Sequence, residues 1–278
     1  MTTPATTDRP LALVTGASTG IGAELAAGLA EQGHDLVVVA DEPQIHETAI
    51  RLRERGGSVQ AVQVDLSVPE GVEQLHATVR TGGRPVAVAV LNAGIAHWGR
   101  FHETDLAGDL RVVGLNVAST VHLAKLLLPG MVERGSGRLL LTSSIAATMP
   151  GPYYATYAAS KAFVHSFAEA LRDELRGTGV TVTSLMPGPT RTEFFARSGM
   201  TGTMVAAGPK DSPAKVAAQG LAAMMAGKAH VVAGNPLNRV QALTATLLPD
   251  VLSTRMHALM TRPRPGRGAS SQSSSSQT

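Results

Sequence analysis

All three tyrosines of this 278-residue chain fall within GPYYATYAASKAF (151–163), and Lys161 follows them. Tyr157 and Lys161 are four positions apart, so on a helix they share one face, one turn from each other. An ammonium there stabilises a tyrosinate and lowers a phenol pKa that otherwise sits near about 10. Such a pair suits proton transfer, where the catalytic pKa should lie close to the working pH. Tyr153 and Tyr154 have no lysine at that spacing and take other roles. A second group stands near the start of the chain. In VTGASTGIGAELAAGLAEQG (14–33), Gly16, Gly20 and Gly22 follow an apolar run and open a helical one. Glycines allow a tight turn and a close backbone approach, and a helix N-terminus offers free N–H groups to a pyrophosphate. With Asp41 nineteen positions after Gly22, the pattern reads as a dinucleotide site rather than an ordinary strand–helix turn.

These residues need elements to hold them. Short β-branched runs at 11–15, 34–40, 58–64, 86–92, 138–144 and 180–186 are separated by segments long enough for crossover helices. A last strand is expected at 230–234, and two further helices over 236–261, broken at 248–250. Strands alternating with helices predict an α/β fold, a doubly wound parallel sheet of about seven strands with helices on both faces. One domain is expected over 10–261, after a flexible N-terminus (1–9). The Ser/Gln/Pro-rich stretch from 262 to 278 cannot bury enough apolar surface to fold and is expected to be disordered.

Composition narrows the function. Hydrophobic residues make up 44% and aromatic residues only 3%, so the core is ample and helices must pack closely on the sheet. The absence of cysteine excludes disulfides, thiolate metal sites and a cysteine nucleophile, and no metal is expected. The net charge of +3 resides in Arg262, Arg264 and Arg267, which leaves a neutral body and argues against a nucleic-acid partner. The first residues are polar, unlike a secretory signal, and no uninterrupted apolar run reaches about 18 residues, so no membrane span is expected. A cytoplasmic protein is the expectation.

In TGASTGIG (15–22), NAG (92–94), Asn116, Ser144, YAASK (157–161) and PGPTRT (187–192), in that order, the chain resembles the classical subgroup of the short-chain dehydrogenase/reductase family. The resemblance implies a Rossmann-type domain, a nicotinamide cofactor and reversible alcohol/carbonyl chemistry on a small molecule. It implies a catalytic group of Asn116, Ser144, Tyr157 and Lys161. Tyr157 then moves the proton, Lys161 also binds the nicotinamide ribose, and Ser144 holds the substrate oxygen. Ser143 is the rival to Ser144, but adjacent strand residues face opposite ways. Asn116 is expected to hold a water that links Lys161 to solvent. The cofactor is expected to rest on Gly16, Ser18, Thr19, Gly20, Ile21 and Gly22. Asp65 and Leu66 flank its adenine, Asn92, Ala93 and Gly94 its adenosine ribose, and Pro187, Gly188 and Thr192 its nicotinamide side.

Asp41 decides the expected cofactor. A carboxylate accepts hydrogen bonds from the ribose of NAD and repels the extra phosphate of NADP, so NAD is favoured. Glu42 and Thr19 occupy the positions where NADP-preferring relatives often carry a base. The competing role for Asp41 is to cap the next helix. Substrate contacts are expected from Tyr153, Tyr154, His97, Phe194 and Phe195. Met200 and Met204 extend the apolar ceiling over 193–208, and Trp98 and Arg100 lie in a loop that could border the substrate. His165 reads as a helix-surface or interface residue. The apolar residues of 236–261 are expected to face the protein's own core. A homodimer or homotetramer is expected from the resemblance. Within the enzyme class the alternative substrate is a 3-oxoacyl thioester; outside it, the alternative is a dinucleotide sensor without turnover.

Overall fold

Parallel strands covered on both faces need continuous apolar runs, and strand β2 (Asp35–Ala40, DLVVVA) is buried along its whole length. It belongs to a parallel seven-stranded sheet with β1 (Leu11–Thr15), β3 (Val59–Gln63), β4 (Val86–Leu91), β5 (Gly137–Thr142), β6 (Val180–Pro187) and β7 (His230–Ala233). The strand order is β3-β2-β1-β4-β5-β6-β7. This computed structural model describes residues 9–247 and 250–263. Most of the segment expected to be a disordered tail lies outside the described residues.

The helices are α1 (Gly20–Glu31), α2 (Gln44–Arg53), α3 (Pro69–Thr81), α4 (Leu106–Val113), α5 (Ser119–Glu133), α6 (Ala155–Glu174), α7 (Phe194–Arg197), α8 (Met204–Ala207), α9 (Pro213–Met225), α10 (Pro236–Leu247) and α11 (Asp250–Thr261). One face of the sheet buries Val14, Val38 and Leu140 against Leu25, Leu29, Ile45 and Leu221 of α1, α2 and α9. The other face buries Leu13, Val37 and Leu141 against Leu75, Leu123 and Val164 of α3, α5 and α6. Burying each such Leu or Val side chain contributes about 1.5–3 kcal/mol. Alternation along a strand therefore feeds two cores, which is why the central strands β1, β2 and β4 read as nearly continuous apolar runs, while edge strand β3 (VQAVQ) leaves its glutamines exposed.

Order reverses between β1 and β4, the crevice where open α/β sheets bind ligands. Asn92 sits at that point. Its side-chain nitrogen donates to the Thr15 and Gly16 carbonyls at 3.2 and 3.3 Å, and its oxygen accepts from Thr142 at 3.1 Å. One amide thus ties the ends of β1, β4 and β5 together.

Helices α4 and α5 are continuous through a π turn at Gly114–Ala118. The joined helix, Leu106–Glu133, is long and apolar enough to cross a membrane by length and composition. Here it packs against α3, β4 and β5. The two C-terminal helices are both present, but they do not turn their apolar residues inward as expected. Leu237, Val240, Val251, Leu252, Met256 and Leu259 are all about half exposed or more.

Candidate active site

Each residue expected to hold the cofactor lines one cavity of about 490 Å³ at the carboxyl ends of the strands. The glycine turn is built for close approach. Gly16 has φ +64°, a left-handed conformation that other residues rarely adopt. A Cβ on Gly22 would sit 2.0 Å from the Gly16 carbonyl oxygen, so the turn closes only without one. Gly22 belongs to the first turn of α1, and no acidic side chain lies in that turn, so its N–H groups stay available to an anion. A dinucleotide fits this cradle.

The four residues expected to be catalytic are close in space. Tyr157 and Lys161 share a face of α6, and both are buried. Lys161 Nζ lies 5.8 Å from the centre of the Tyr157 ring and donates to the Thr142 carbonyl at 2.8 Å. Ser144 follows β5 and lies close enough to the Tyr157 phenol to favour its charged form, while its hydroxyl accepts from the Ala146 amide at 3.1 Å. Ser143 points the other way and donates to the Lys161 carbonyl at 2.7 Å. Asn116 sits on the π turn, where an extra residue widens the helix. Its Nδ2 donates to the Ile95 carbonyl and the Ser160 hydroxyl, both at 2.9 Å, and its Oδ1 accepts from the Ile95 amide. Ser160 in turn donates to the Tyr157 carbonyl. Asn116 therefore braces the loop after β4 against α6; with both amide hydrogens taken, any water it holds must meet its oxygen.

The electrostatics correct one expectation. Burial pushes the Tyr157 phenol up to about 12, and the nearby Ser144 hydroxyl offsets only part of that. Burial pulls Lys161 down to about 8. The lysine does not carry the phenol below its ordinary range, because desolvation penalises both charged forms at once.

Asp41 and Asp65 end β2 and β3 in the same cavity, and both face Arg111 of α4, at 3.0 and 3.5 Å. Burial works against an ionised Asp65, but the Ser67 amide and Arg111 outweigh it and hold the carboxyl below its usual range. Glu42 accepts from Ser18 at 2.9 Å and pairs with Arg197, which also pairs with Glu193. Four carboxylates thus meet two guanidinium groups. Asp41 does not cap α2, whose N-cap position is Pro43 with no side-chain bond. Sequence reasoning missed Arg111, since its partners lie on distant strands.

The expected substrate residues divide. Tyr154, Phe194 and Phe195 line the cavity with Met200. Tyr153 and His97 do not. Tyr153 takes φ +68°, stacks on Trp98 with ring centres 6.5 Å apart, and gives its carbonyl to the Gly99 amide. The His97 ring lies against Gly108, facing Asp105 at 3.3 Å and Asp109 at 3.6 Å. Met204 is half exposed and does not line the cavity. His165 is half-buried beside Ser184 and His230 rather than on the open surface. Three residues from the C-terminal helices also line the cavity, and sequence reasoning missed them: Gln241, His257 and Met260.

A family model described as short chain dehydrogenase matches residues 10–201. The chain is 33% identical over 202 residues to the ketoacyl reductase HetN of Nostoc sp., which is 71% of this chain and 68% of that protein. It spans 61% and 32% of the length of two other curated relatives it matches. Among solved structures, a short-chain dehydrogenase from Sphingobium yanoikuyae in complex with NADPH is 30% identical. That match has a TM-score of 0.76 and covers 94% of this chain and 99% of the other. A bulky-bulky ketone specific alcohol dehydrogenase from Comamonas testosteroni is 25% identical, with a TM-score of 0.73 over 95% and 98% of the two chains. The sheet order, the glycine turn and a matched segment that runs from β1 past β6 agree with one another: the chain belongs to the short-chain dehydrogenase/reductase family.

Proposed function

We propose that the protein is a nicotinamide-dependent oxidoreductase that interconverts a ketone and a secondary alcohol, or an aldehyde and a primary alcohol. The observation that carries this reading is the convergence of Ser144, Tyr157 and Lys161 on the cavity floored by the glycine turn. The bound cofactor supplies the hydride. Tyr157 gives its phenolic proton to the substrate oxygen in reduction and takes it back in oxidation. Ser144 holds that oxygen beside the phenol. Lys161, with Nζ fixed on the Thr142 carbonyl, supplies positive charge and a donor for ribose hydroxyls. Gly16, Ser18, Thr19, Gly20, Ile21 and Gly22 receive the pyrophosphate, with Leu66, Asn92, Ala93 and Gly94 beside the adenosine. Pro187, Gly188 and Thr192 face the nicotinamide.

Within that reading the favoured cofactor is NAD(H). The corner that holds Asp41 carries more carboxylates than guanidinium groups, which suits a neutral ribose diol better than a phosphate. We also propose that the chain pairs with itself through α4, α5 and α6, where Leu106, Leu110, Val121 and Phe163 are exposed; light scattering tests this, and a monomer overturns it. A second substrate reading, reduction of a 3-oxoacyl thioester, is favoured by the likeness to the Nostoc ketoacyl reductase. The experiment is a panel of ketones, aldehydes, alcohols and a 3-oxoacyl thioester, read by nicotinamide absorbance with each cofactor. Turnover that survives Tyr157→Phe undiminished, or none on any compound, overturns the proposal.

A further inference from the structure

Helices α10 and α11 are amphipathic in the opposite sense to helices that only pack on their own sheet. Their buried positions hold Asn238 and Ala242 on α10, and Ser253, His257 and Thr261 on α11. Hydrogen bonds fasten these inward groups to the body. Asn238 Nδ2 donates to the Ala233 carbonyl at 3.1 Å and to the Asp211 carboxylate at 2.9 Å. His257 Nδ1 lies 2.9 Å from the Pro150 carbonyl, and its Nε2 meets the Tyr154 hydroxyl. Thr261 donates to the Pro152 carbonyl at 2.9 Å.

The outward faces are apolar instead. Leu237, Val240 and Leu243 recur every third residue on α10, and Val251, Leu252, Met256 and Leu259 share one side of α11; each is 48% exposed or more. Apolar residues scattered singly over a surface need no explanation, but a stripe on each of two successive helices marks an interaction site. The charges exposed beside these stripes are cations. Arg239, Arg255 and Arg262 make no ion pair among the described residues. Thr244 is the one neutral polar side chain exposed on either helix among the described residues, and it donates its hydroxyl to the Val240 carbonyl at 2.9 Å. From residue 235 onward, Arg239, Arg255, Arg262, Arg264 and Arg267 stand against a single acid, Asp250.

We propose that the outward face of α10 and α11 docks on an anionic lipid surface, its Leu, Val and Met side chains entering the boundary of headgroups and acyl chains and its arginines pairing with lipid phosphates. Binding of this kind needs apolar burial together with attraction to anionic headgroups, and both are present here. Arg255 lies within the apolar stripe of α11, where its aliphatic stem follows the acyl chains while its guanidinium reaches the headgroups. A second copy is a poorer occupant, since a two-fold contact would set these arginines against themselves. An acidic protein is poorer too: the face has no free neutral hydrogen-bonding side chain among the described residues to fix a register, and a fluid surface requires none. The inner sides of the same helices line the cavity with Gln241, His257 and Met260, so docking holds one wall of the site at the lipid surface. Docking does not depend on which reaction the site performs.

The test is flotation of the full-length protein with vesicles of phosphatidylcholine alone, and of phosphatidylcholine with about one-third phosphatidylglycerol, at about 0.1 M and about 1 M salt. Wild type should float with the anionic vesicles at low salt, and its partition should fall at least about tenfold on neutral vesicles or at high salt. Arg255→Gln with Arg262→Gln should weaken anionic binding by roughly 25-fold, about fivefold for each arginine. Leu252→Ser with Leu259→Ser should weaken it by at least about tenfold, and all four side chains are exposed enough to change without moving the melting temperature. Wild type that stays out of the anionic vesicle fraction at low salt overturns the inference, whether or not any variant folds. Binding undiminished by the two leucine changes overturns it as well, because charge alone would then account for it. Wild type that ignores vesicles but loses mass in light scattering on those leucine changes assigns the face to a second copy; wild type that ignores vesicles but binds poly-glutamate assigns it to an acidic protein, and either result rejects the lipid.

Discussion

Replacing Asp41 by Asn tests the cofactor assignment with little change of shape. Asp41 and Arg111 are 3.0 Å apart, and each side chain is about half exposed, so their charges act near the aqueous end of the Coulomb scale. At about 4 Å, a unit pair is worth about 1 kcal/mol in water and about 4 kcal/mol at an effective dielectric of 20. Taking the lower end, the Asp41 carboxylate costs the nearly dianionic phosphate of NADP about 1–2 kcal/mol, or roughly 5- to 30-fold in affinity. Asp41→Asn removes that cost and loosens Arg111, whose guanidinium can then turn from carboxylate to phosphate. The ratio of kcat/KM for NADPH over NADH should rise by at least about tenfold. Adding Arg111→Ala should reverse part of the gain, and raised salt should shrink it, since exposed charges are screened beyond about 8–10 Å at physiological ionic strength. The assay is nicotinamide absorbance on one confirmed ketone at two ionic strengths. A wild type that prefers NADPH, or an Asp41→Asn ratio that does not move, refutes the reasoning.

Tyr157→Phe should leave the melting temperature and cofactor binding nearly unchanged while turnover falls by about 100-fold or more, the scale of acid–base catalysis. Lys161→Ala should impair both turnover and cofactor affinity, measured by steady-state kinetics and by cofactor fluorescence. The phenol pushed up to about 12 predicts opposite pH profiles for the two directions. Oxidation needs tyrosinate and should climb by about tenfold per unit from pH 6 to about 8, then more slowly as Lys161 loses its charge. Reduction should stay flat at low pH and decline once Lys161 loses its charge near about 8; an oxidation rate that levels off near pH 7 contradicts the profile. Gly22→Ala should abolish cofactor binding and lower the melting temperature, because its methyl would have to enter the space of the Gly16 carbonyl 2.0 Å away.

The central strands were legible because they are buried on both faces and so must be runs of apolar, mostly β-branched residues; β2 and β4 follow that rule along most of their length, whereas the edge strands β3 and β7 are partly exposed. The glycine turn and the Tyr157–Lys161 face were legible because local spacing dictates them. What spacing could not supply was the sign of the phenol's shift. Four residues of separation put a lysine beside the ring, but the whole fold decides how dry the site is, and burial raises the phenol while it lowers the lysine. Spacing also could not show that Tyr153, one residue before Tyr154, leaves the cavity by a left-handed turn and stacks on Trp98 instead.

The residues that went unseen have one thing in common. Arg111 meets Asp41 across 70 positions, and His257 meets Tyr154 across 103. Neither pairing has a local signature, because each is made by the order of the strands or by the return of the last helix over the sheet. An arginine on α4 and a histidine on α11 look like surface residues in a helical pattern. The consequence bears on specificity. In the proposed function, the motif residues govern the proton and the cofactor, and each motif is local in sequence. Under the same proposal, which cofactor enters depends on a side chain brought in from far along the chain. Changes at Arg111 should therefore alter cofactor selectivity while the rate with the preferred cofactor survives, whereas changes at Tyr157 or Lys161 should lower the rate on every substrate alike.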